Sequence, residues 1–488
     1  MRLNTVKSPN AISYYVIKDI NKDGNRTTRI VERLGTHDEL LAKCGEEDPV
    51  EWAKAYIEEL NRKEKEGQFE YVAKYSSAKQ LTKDQQREFK GGYLFLQSLY
   101  HQLGLGKICQ KIEKDYKIAY SLSDILNMLL TSRILDPSSK RSSLAGSRNY
   151  LENPDIHLHQ IYRALEVLAK SSDHLQAELY KNSKKLVKRN DRILYYDCTN
   201  YYFETEDEEG LKEYGKGKEH RPNPIVQMGM FMDADGLPLA FRLFNGSDSE
   251  QPSLKPLEEK ILQDFKLSKF IVCTDAGLAS HDNRLFNNEA ERAYIVTQSL
   301  KILKKYLQDW ALDPRDWKLK HSTRLYDLTN IDPNEPSEQD NVYYKSRWIN
   351  ENGLEQQLIV TFSPKYLLYQ QDIRDKQIER AKEKVSKPAT LNRKNANDPG
   401  RFVKRLTVTQ DGELAGKDIY YLDEEIIAKE ARFDGFYAVC TNLDDDPLSI
   451  IAVNKRRWEI EACFRIMKSE LKARPVYLKR DDRILAHF

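Results

Sequence analysis

Apolar and polar residues alternate through the first forty positions ("SYYVIKDINKDGNRTTRIVERLG"). That period of two predicts half-buried strands, with Asp23-Gly24 as the hairpin turn. From about 48 to 189 the spacing becomes helical, broken by glycines and by capping serines such as Ser123 before "DILNMLL". Several short helices are expected there. They suit a plain packing domain or one that reads DNA ends with short helices, and the pattern leaves both open.

The pattern changes again at "RILYYDCTNYYFETE" (192–206), whose Ile, Leu and Tyr predict a central strand. The run "PIVQMGMFMDADGLPLAFRLFNGS" (224–247) predicts two further strands around Asp235-Gly236, with Asp233 and Asp235 as turn residues. A short apolar strand, Phe270 to Thr274, ends in Asp275 and leads into a helix, so the sheet should turn parallel there. Between 300 and 430 the pattern is irregular, with strand-like "NVYYKSRWI" and "EQQLIVTFS" and a basic stretch, and it reads as an insertion. "FDGFYAVCTNL" (433–443) restores a strand, and a helix beginning near "RRWEIEACFRIMK" follows it.

Composition narrows the classes. With 40% hydrophobic residues and no apolar run near membrane-spanning length, a membrane protein is not expected. The N-terminus lacks the pattern of a secretory signal, so a cytoplasmic location is expected. Six scattered cysteines without a C-x-x-C pair disfavour a zinc knuckle or a disulfide framework. A net charge of +2 announces no nucleic-acid partner, but 32% charged residues allow local basic patches, at 377–405 and from Lys455 to Arg483.

The candidate chemistry lies in carboxylates. Asp197 sits within a predicted strand among apolar and aromatic neighbours, and Asp275 at the carboxyl end of another, where ligands gather in parallel sheets. On the late helix, at about 100° per residue, Arg457, Glu461 and Lys468 form one stripe beside an apolar stripe of Ile460, Phe464, Met467 and Leu471. Glu459 falls on the opposite side, toward solvent. Three carboxylates of this kind are a donor set for two Mg²⁺ ions, with Mn²⁺ as a substitute, and such a pair serves in-line phosphoryl displacement. Arg457 and Lys468 would then hold DNA phosphates.

These residues resemble the DDE transposases of bacterial insertion sequences, the IS4-like group and within it the IS1634-type branch. The resemblance rests on "YYDCTNYYFE", "GKGKEHRPNPIVQMGMFMDADGLPL", "VCTDAGLAS" and "RRWEIEACFRIMKSELKARPVY". The last carries the group's signature of Tyr, Arg, Glu and Lys separated by two, three and six residues, matched by Arg457, Glu461 and Lys468, with Asn454 at the Tyr position. The resemblance implies an α/β fold: an RNase H-like core, a mixed sheet flanked by helices, interrupted by a mostly β insertion and preceded by a helical N-terminal region. The implied parts are 1–75 (hairpin and helix), 76–189 (DNA-end binding), 190–300 (first part of the core), 301–430 (insertion) and 431–488 (second part of the core). Relatives are expected to continue past "RILAHF" with an apolar helix.

It also implies an enzyme that binds the terminal inverted repeats of its element, hydrolyses a phosphodiester to free a 3′-OH and joins that hydroxyl to target DNA, as at least a dimer when two ends are held. Catalytic and metal-binding roles fall to Asp197, Asp275 and Glu461, and phosphate contacts to Arg457, Lys468 and Asn454. The "GKGKEHRP" loop is either a DNA contact or a surface turn, Trp458 is expected to pack rather than to stack on a base, and His220 and His281 are expected to be surface or structural. A transposase-derived protein that binds DNA without chemistry is the alternative. A carboxylate-pair glycosidase would have no use for the Arg-Glu-Lys stripe, and phosphate-loop, zinc-protease and serine-hydrolase motifs are absent from the sequence.

Overall fold

The computed structural model describes the chain apart from residues 9–10, 23–24, 46–47, 66–88, 152–154, 220, 388–396 and 408–417. The expected turn at Asp23-Gly24, and His220, therefore lie outside the described residues. The chain divides into two compact units, 1–167 and 168–488.

The first unit opens with an antiparallel sheet, β1 (Arg2–Ser8), β2 (Ala11–Lys22) and β3 (Asn25–Thr36), in that order. Helices α1 (His37–Cys44) and α2 (Pro49–Lys65) cover it, burying Leu40, Ala53 and Ile57 against Tyr14, Val16 and Leu34. Then come α3 (Tyr93–Gln102), α4 (Leu105–Asp115), α5 (Leu122–Leu135) and α6 (Lys140–Ser147), while α7 (Leu158–Lys170) runs across the division. The serine that caps α5 is Ser121, whose side chain accepts from Asp124 N. Ser123, the cap expected from sequence, lies inside the first turn, where its Oγ meets the Tyr100 hydroxyl at 3.1 Å.

The second unit begins with α8 (Ser172–Ser183) and is built on one ten-stranded sheet. Strands β4 (Ile193–Tyr202), β5 (Ile225–Asp233) and β6 (Pro238–Asn245) are consecutive and antiparallel, as the sequence predicts. Helix α9 (Leu254–Asp264) follows, and then β7 (Ile271–Thr274), which pairs parallel with β4. After α10 (His281–Asn287), β8 (Ala293–Gln298) pairs parallel with β7. Counted from the first of these five strands, the spatial order is 3-2-1-4-5, compatible with an RNase H-like sheet.

The longest strands of residues 301–430 join the main sheet rather than a sheet of their own. After α11 (Lys305–Leu312), strands β9 (Trp317–Leu319) and β10 (Leu325–Tyr326), and α12 (Pro336–Gln339), the hairpin β11 (Tyr343–Glu351) and β12 (Leu354–Phe362) joins the same sheet. There β12 pairs antiparallel with β15 (Phe436–Thr441), which pairs antiparallel with β8. Beyond β12, the long helix α13 (Pro364–Ser386), the small β13 (Val403–Thr407) and β14 (Asp418–Leu422) pair, and α14 (Glu424–Ala431) make this stretch mixed rather than mostly β. The chain then runs through α15 (Pro447–Lys455), α16 (Trp458–Ser469) and α17 (Asp481–His487).

Period-two alternation along β4 sorts its side chains to two cores. Leu194, Tyr196 and Cys198 pack with α8 and α9, burying Tyr180, Leu257 and Ile261. Tyr195 and Tyr201 face the other way, toward Ile450, Ile451, Ile460 and Phe464 of α15 and α16. Sheet faces that are both covered explain why β5 is buried at every position.

Where β4 meets β5, Gly229 opposes Cys198. A methyl group at Gly229 would overlap the Tyr196 hydroxyl, which is fixed by a 2.6 Å bond with Ser253 Oγ. Gly229→Ala is therefore expected to destabilise the protein by about 1–3 kcal/mol, the usual cost of overpacking, measured as a lower urea midpoint. Among the described residues, no helix is long and apolar enough to cross a membrane. The six cysteines are free, four of them buried.

Candidate active site

Asp197 projects from β4 on the α16 side, by the same alternation that turns Tyr195 and Tyr201 that way. The next strand, β7, pairs Cys273 with Tyr195. The ladder ends there and Asp275 directly follows Thr274, the last residue of β7, so the paired strands carry Asp197 and Asp275 toward one cavity. Asp275 is held at the strand end by its own turn, with Oδ1 accepting from Leu278 N at 3.0 Å.

The third carboxylate comes with α16. Ile460 and Phe464 are buried and Met467 and Leu471 partly so, the apolar stripe expected from helical spacing. Anchored by that stripe, the helix brings Arg457, Glu461, Arg465 and Lys468 to one cavity of about 420 Å³, whose wall also carries Asp197, Asp275, Lys218, Glu219 and Arg474. Five cationic and four carboxylate side chains thus share the opening.

Burial raises Asp197 to about 6, opposed by Lys218 and the Cys198 N–H, while Asp275 adds repulsion and Arg457 attraction. Lys468 moves in the opposite sense. Burial lowers it to about 8, with repulsion from Lys218 adding and Asp197 opposing. Each shift has desolvation as its main cause, the expected result of gathering charges in a partly closed cavity.

Lys218, Glu219 and Arg474 were not singled out by sequence reasoning. Lys218 belongs to the "GKGKEHRP" loop, so the signal was the basic loop itself. Its Nζ donates to the Cys198 carbonyl and lies 3.7 Å from Glu250, which ties the loop to β4. Arg474 pairs with Glu219, and Arg221 stacks over Tyr202 at 4.3 Å.

Three expectations are corrected. Asn454 does not face the cavity: it is 4% exposed, its Nδ2 donates to the Tyr437 hydroxyl at 2.8 Å, and its Oδ1 accepts from Cys273 Sγ at 3.6 Å. Buried between β7 and β15, it is not available to a phosphate. Glu459 is not the solvent-facing acid, because its side chain is 16% exposed and paired with Arg456 at 2.8 Å, whereas Glu461 is exposed. Trp458 does not pack, being 62% exposed. Helix α16 starts at Trp458 with Arg457 as its N-cap, and Glu459 leaves the cavity side as the spacing predicts but is covered by Arg456 and the Gly236 turn.

Among the described residues, no three His, Cys, Asp or Glu side chains stand close enough together to hold a metal ion as arranged. Asp197 and Asp275 sense each other's charge, and Glu461 faces them from another element of the same cavity.

No family model matches the chain, and no curated protein matches it. A solved structure of piggyBac transposase, in a synaptic complex with hairpin DNA, is similar over 72% of this chain and 52% of that one, at 9% identity and a TM-score of 0.32. This chain thus matches about half the length of that protein.

Proposed function

We infer that the second unit is the catalytic core of a DDE-type DNA transposase, an RNase H-like fold resembling the IS4-like group and its IS1634-type branch. The observation that carries this reading is the shared cavity: Asp197, Asp275 and Glu461 arrive from remote parts of the chain at one opening, with Arg457 and Lys468 on its wall. The donor set is all oxygen and two of its members repel each other, which suits hard divalent cations. Asp197, Asp275 and Glu461 would hold two Mg²⁺ ions, or Mn²⁺, once Glu461 approaches the aspartate pair. When bound, such ions activate the attacking oxygen and stabilise the leaving oxygen of an in-line displacement.

The chain's own groups supply the rest. Arg457 presents a planar fork and Lys468 a point charge to the DNA backbone, and Lys218 adds a third cation beside Asp197. Hydrolysis and strand transfer then differ only in which oxygen attacks, water or a 3′-OH. Holding the two terminal repeats of an element together requires at least a homodimer, with the target DNA entering afterwards.

A second reading, a transposase-derived protein that binds DNA without cutting it, is favoured by the spread of the three carboxylates. The two separate in one experiment: incubation with Mn²⁺ and labelled duplexes taken from the DNA flanking its own reading frame, for the wild type and Glu461→Gln. Cleavage by the wild type alone supports the catalytic reading. Equal cleavage by both removes Glu461 from the chemistry, and salt-sensitive binding without cleavage by either leaves the binding-only protein.

The lowered Lys468 gives a pH signature. With its proton leaving near pH 8 in the free protein, affinity for duplex DNA should fall about tenfold between pH 7 and 9 where this contact needs the charged form. Lys468→Arg keeps its charge over that range and should flatten the profile, as read by fluorescence anisotropy at fixed salt.

A further inference from the structure

A row of hydrogen bonds runs from the middle of the sheet to the cavity wall. Cys273 on β7 contacts Asn454 on α15, whose Nδ2 donates to the Tyr437 hydroxyl on β15 at 2.8 Å. Tyr437 and Thr297, on β15 and β8, share a 2.7 Å bond between hydroxyls. Arg457 Nη1 then donates to Thr297 Oγ1 at 3.1 Å. Whichever hydroxyl gives its proton within the Tyr437–Thr297 pair, Thr297 keeps a lone pair for Arg457.

We propose that Tyr437 is a positioning residue for Arg457, acting through Thr297 to fix the plane of the guanidinium on the cavity wall. The row itself stands on geometry, and what the fixed guanidinium grips, a phosphate of a DNA strand, rests on the transposase reading above. Arg457 needs such a constraint. It sits at the junction of α15 and α16 as an N-cap whose side chain makes no capping bond, and its long side chain has many rotamers open to it. Its Nε is buried without a hydrogen-bond partner among the described residues, so Nε does not set the orientation. The bond to Thr297 does. A planar fork recognises a phosphate through two parallel N–H groups, so the angle of the plane decides whether both reach it.

The row also accounts for Asn454. It is a buried amide on the helix side of the sheet that bonds both Tyr437 and Cys273, and so holds the tyrosine hydroxyl at the height of Thr297. An aromatic hydroxyl therefore reaches this point from β15 rather than from α15.

The test uses the full chain and two readouts. The first is the ¹⁵N relaxation order parameter of the Arg457 Nε–H group, assigned by its disappearance in Arg457→Lys. It is expected near the rigid value of about 0.85 in the wild type and below about 0.6 in Tyr437→Phe and in Thr297→Val. Thr297→Ser, which keeps the hydroxyl, should restore the wild-type value. An order parameter unchanged by Tyr437→Phe and Thr297→Val overturns the proposal, and if Tyr437→Phe fails to fold, the two Thr297 variants decide the matter alone.

The second readout is duplex affinity in a double-mutant cycle. Tyr437→Phe should weaken binding about three- to tenfold in the wild-type background and not at all in Arg457→Ala, the mark of one residue acting through another. Additive losses overturn the route through Arg457. Mobility that changes as expected while Arg457→Ala binds DNA like the wild type keeps the row and removes its phosphate role.

Discussion

Asp197→Asn is expected, on the proposed two-metal chemistry in which its charge would help hold the ions, to lose metal-dependent strand cleavage by a factor of about 10³ or more, and yet to make the metal-free protein more stable. The stability gain follows from linkage. Burial holds Asp197 near 6, above the ordinary carboxylate value, so the folded state binds the extra proton between about pH 4 and 6 and stability drops as pH rises through that window. At pH 7 the whole penalty is present. Asparagine removes it, for a gain of up to about 3 kcal/mol at the ceiling of two pKa units, less where solvent reaches the group. Calorimetry in EDTA at pH 5 and pH 8 reads the sign: the variant should lead the wild type more at pH 8. Mg²⁺ should then raise the wild-type midpoint and leave that of Asp197→Asn nearly unmoved. A variant no more stable than the wild type in EDTA would mean that the charge is not strained in the free protein, and the argument for a cation there would lose its electrostatic half.

The largest stability effect is expected away from the cavity. Arg189 and Asp233 form an ion pair at 2.6 Å with side chains 4% and 0% exposed. The guanidinium also donates to the Leu237 and Pro238 carbonyls, both at 2.9 Å, and to Ser183 Oγ at 3.1 Å. The other oxygen of Asp233 accepts from Asp235 N and Leu237 N, which shapes the β5–β6 turn around Gly236, where φ is 81°. Arg189→Ala leaves a carboxylate buried without its counter-ion and should cost about 3–5 kcal/mol. Replacing both partners by apolar residues should recover only part of this, because the turn amides lose their acceptor as well. Urea titration of the single and double variants gives the comparison. A loss under about 1 kcal/mol for Arg189→Ala would show that water reaches the pair.

Asp233 illustrates what the sequence conveyed and what it withheld. Its place in a hairpin turn was legible, because Asp-Gly between two apolar runs is a local signal. Its ion pair was not, since Arg189 lies 44 positions away. The same division holds at the cavity. The strand around Asp197, the strand ending at Asp275 and the apolar stripe of α16 follow from periodicity within a short window, and the structure brings all three to one opening. Depth was not legible. Periodicity gives the face of a helix but not what comes down on it, so the burial of Asn454 under Tyr437 was invisible from α15 alone. Periodicity puts Glu459 on the side of α16 opposite Glu461 but does not show that Arg456 and the Gly236 turn cover that side. The strands of 343–362 were recognised as strands, but whether they made their own sheet depended on β15, well beyond them in sequence. The stability of a central strand comes from partners that a window of residues does not contain.

The sheet's order has a further consequence for how the molecule comes into being. Strand β8 lies between β7, made just before it, and β15, made some 140 residues later, with β12 waiting for the same partner. During synthesis, the edge of β8 must stay open until Thr441 has left the ribosome. Non-local pairing of this kind slows closure and leaves strand borders unguarded until β15 pairs with both β8 and β12.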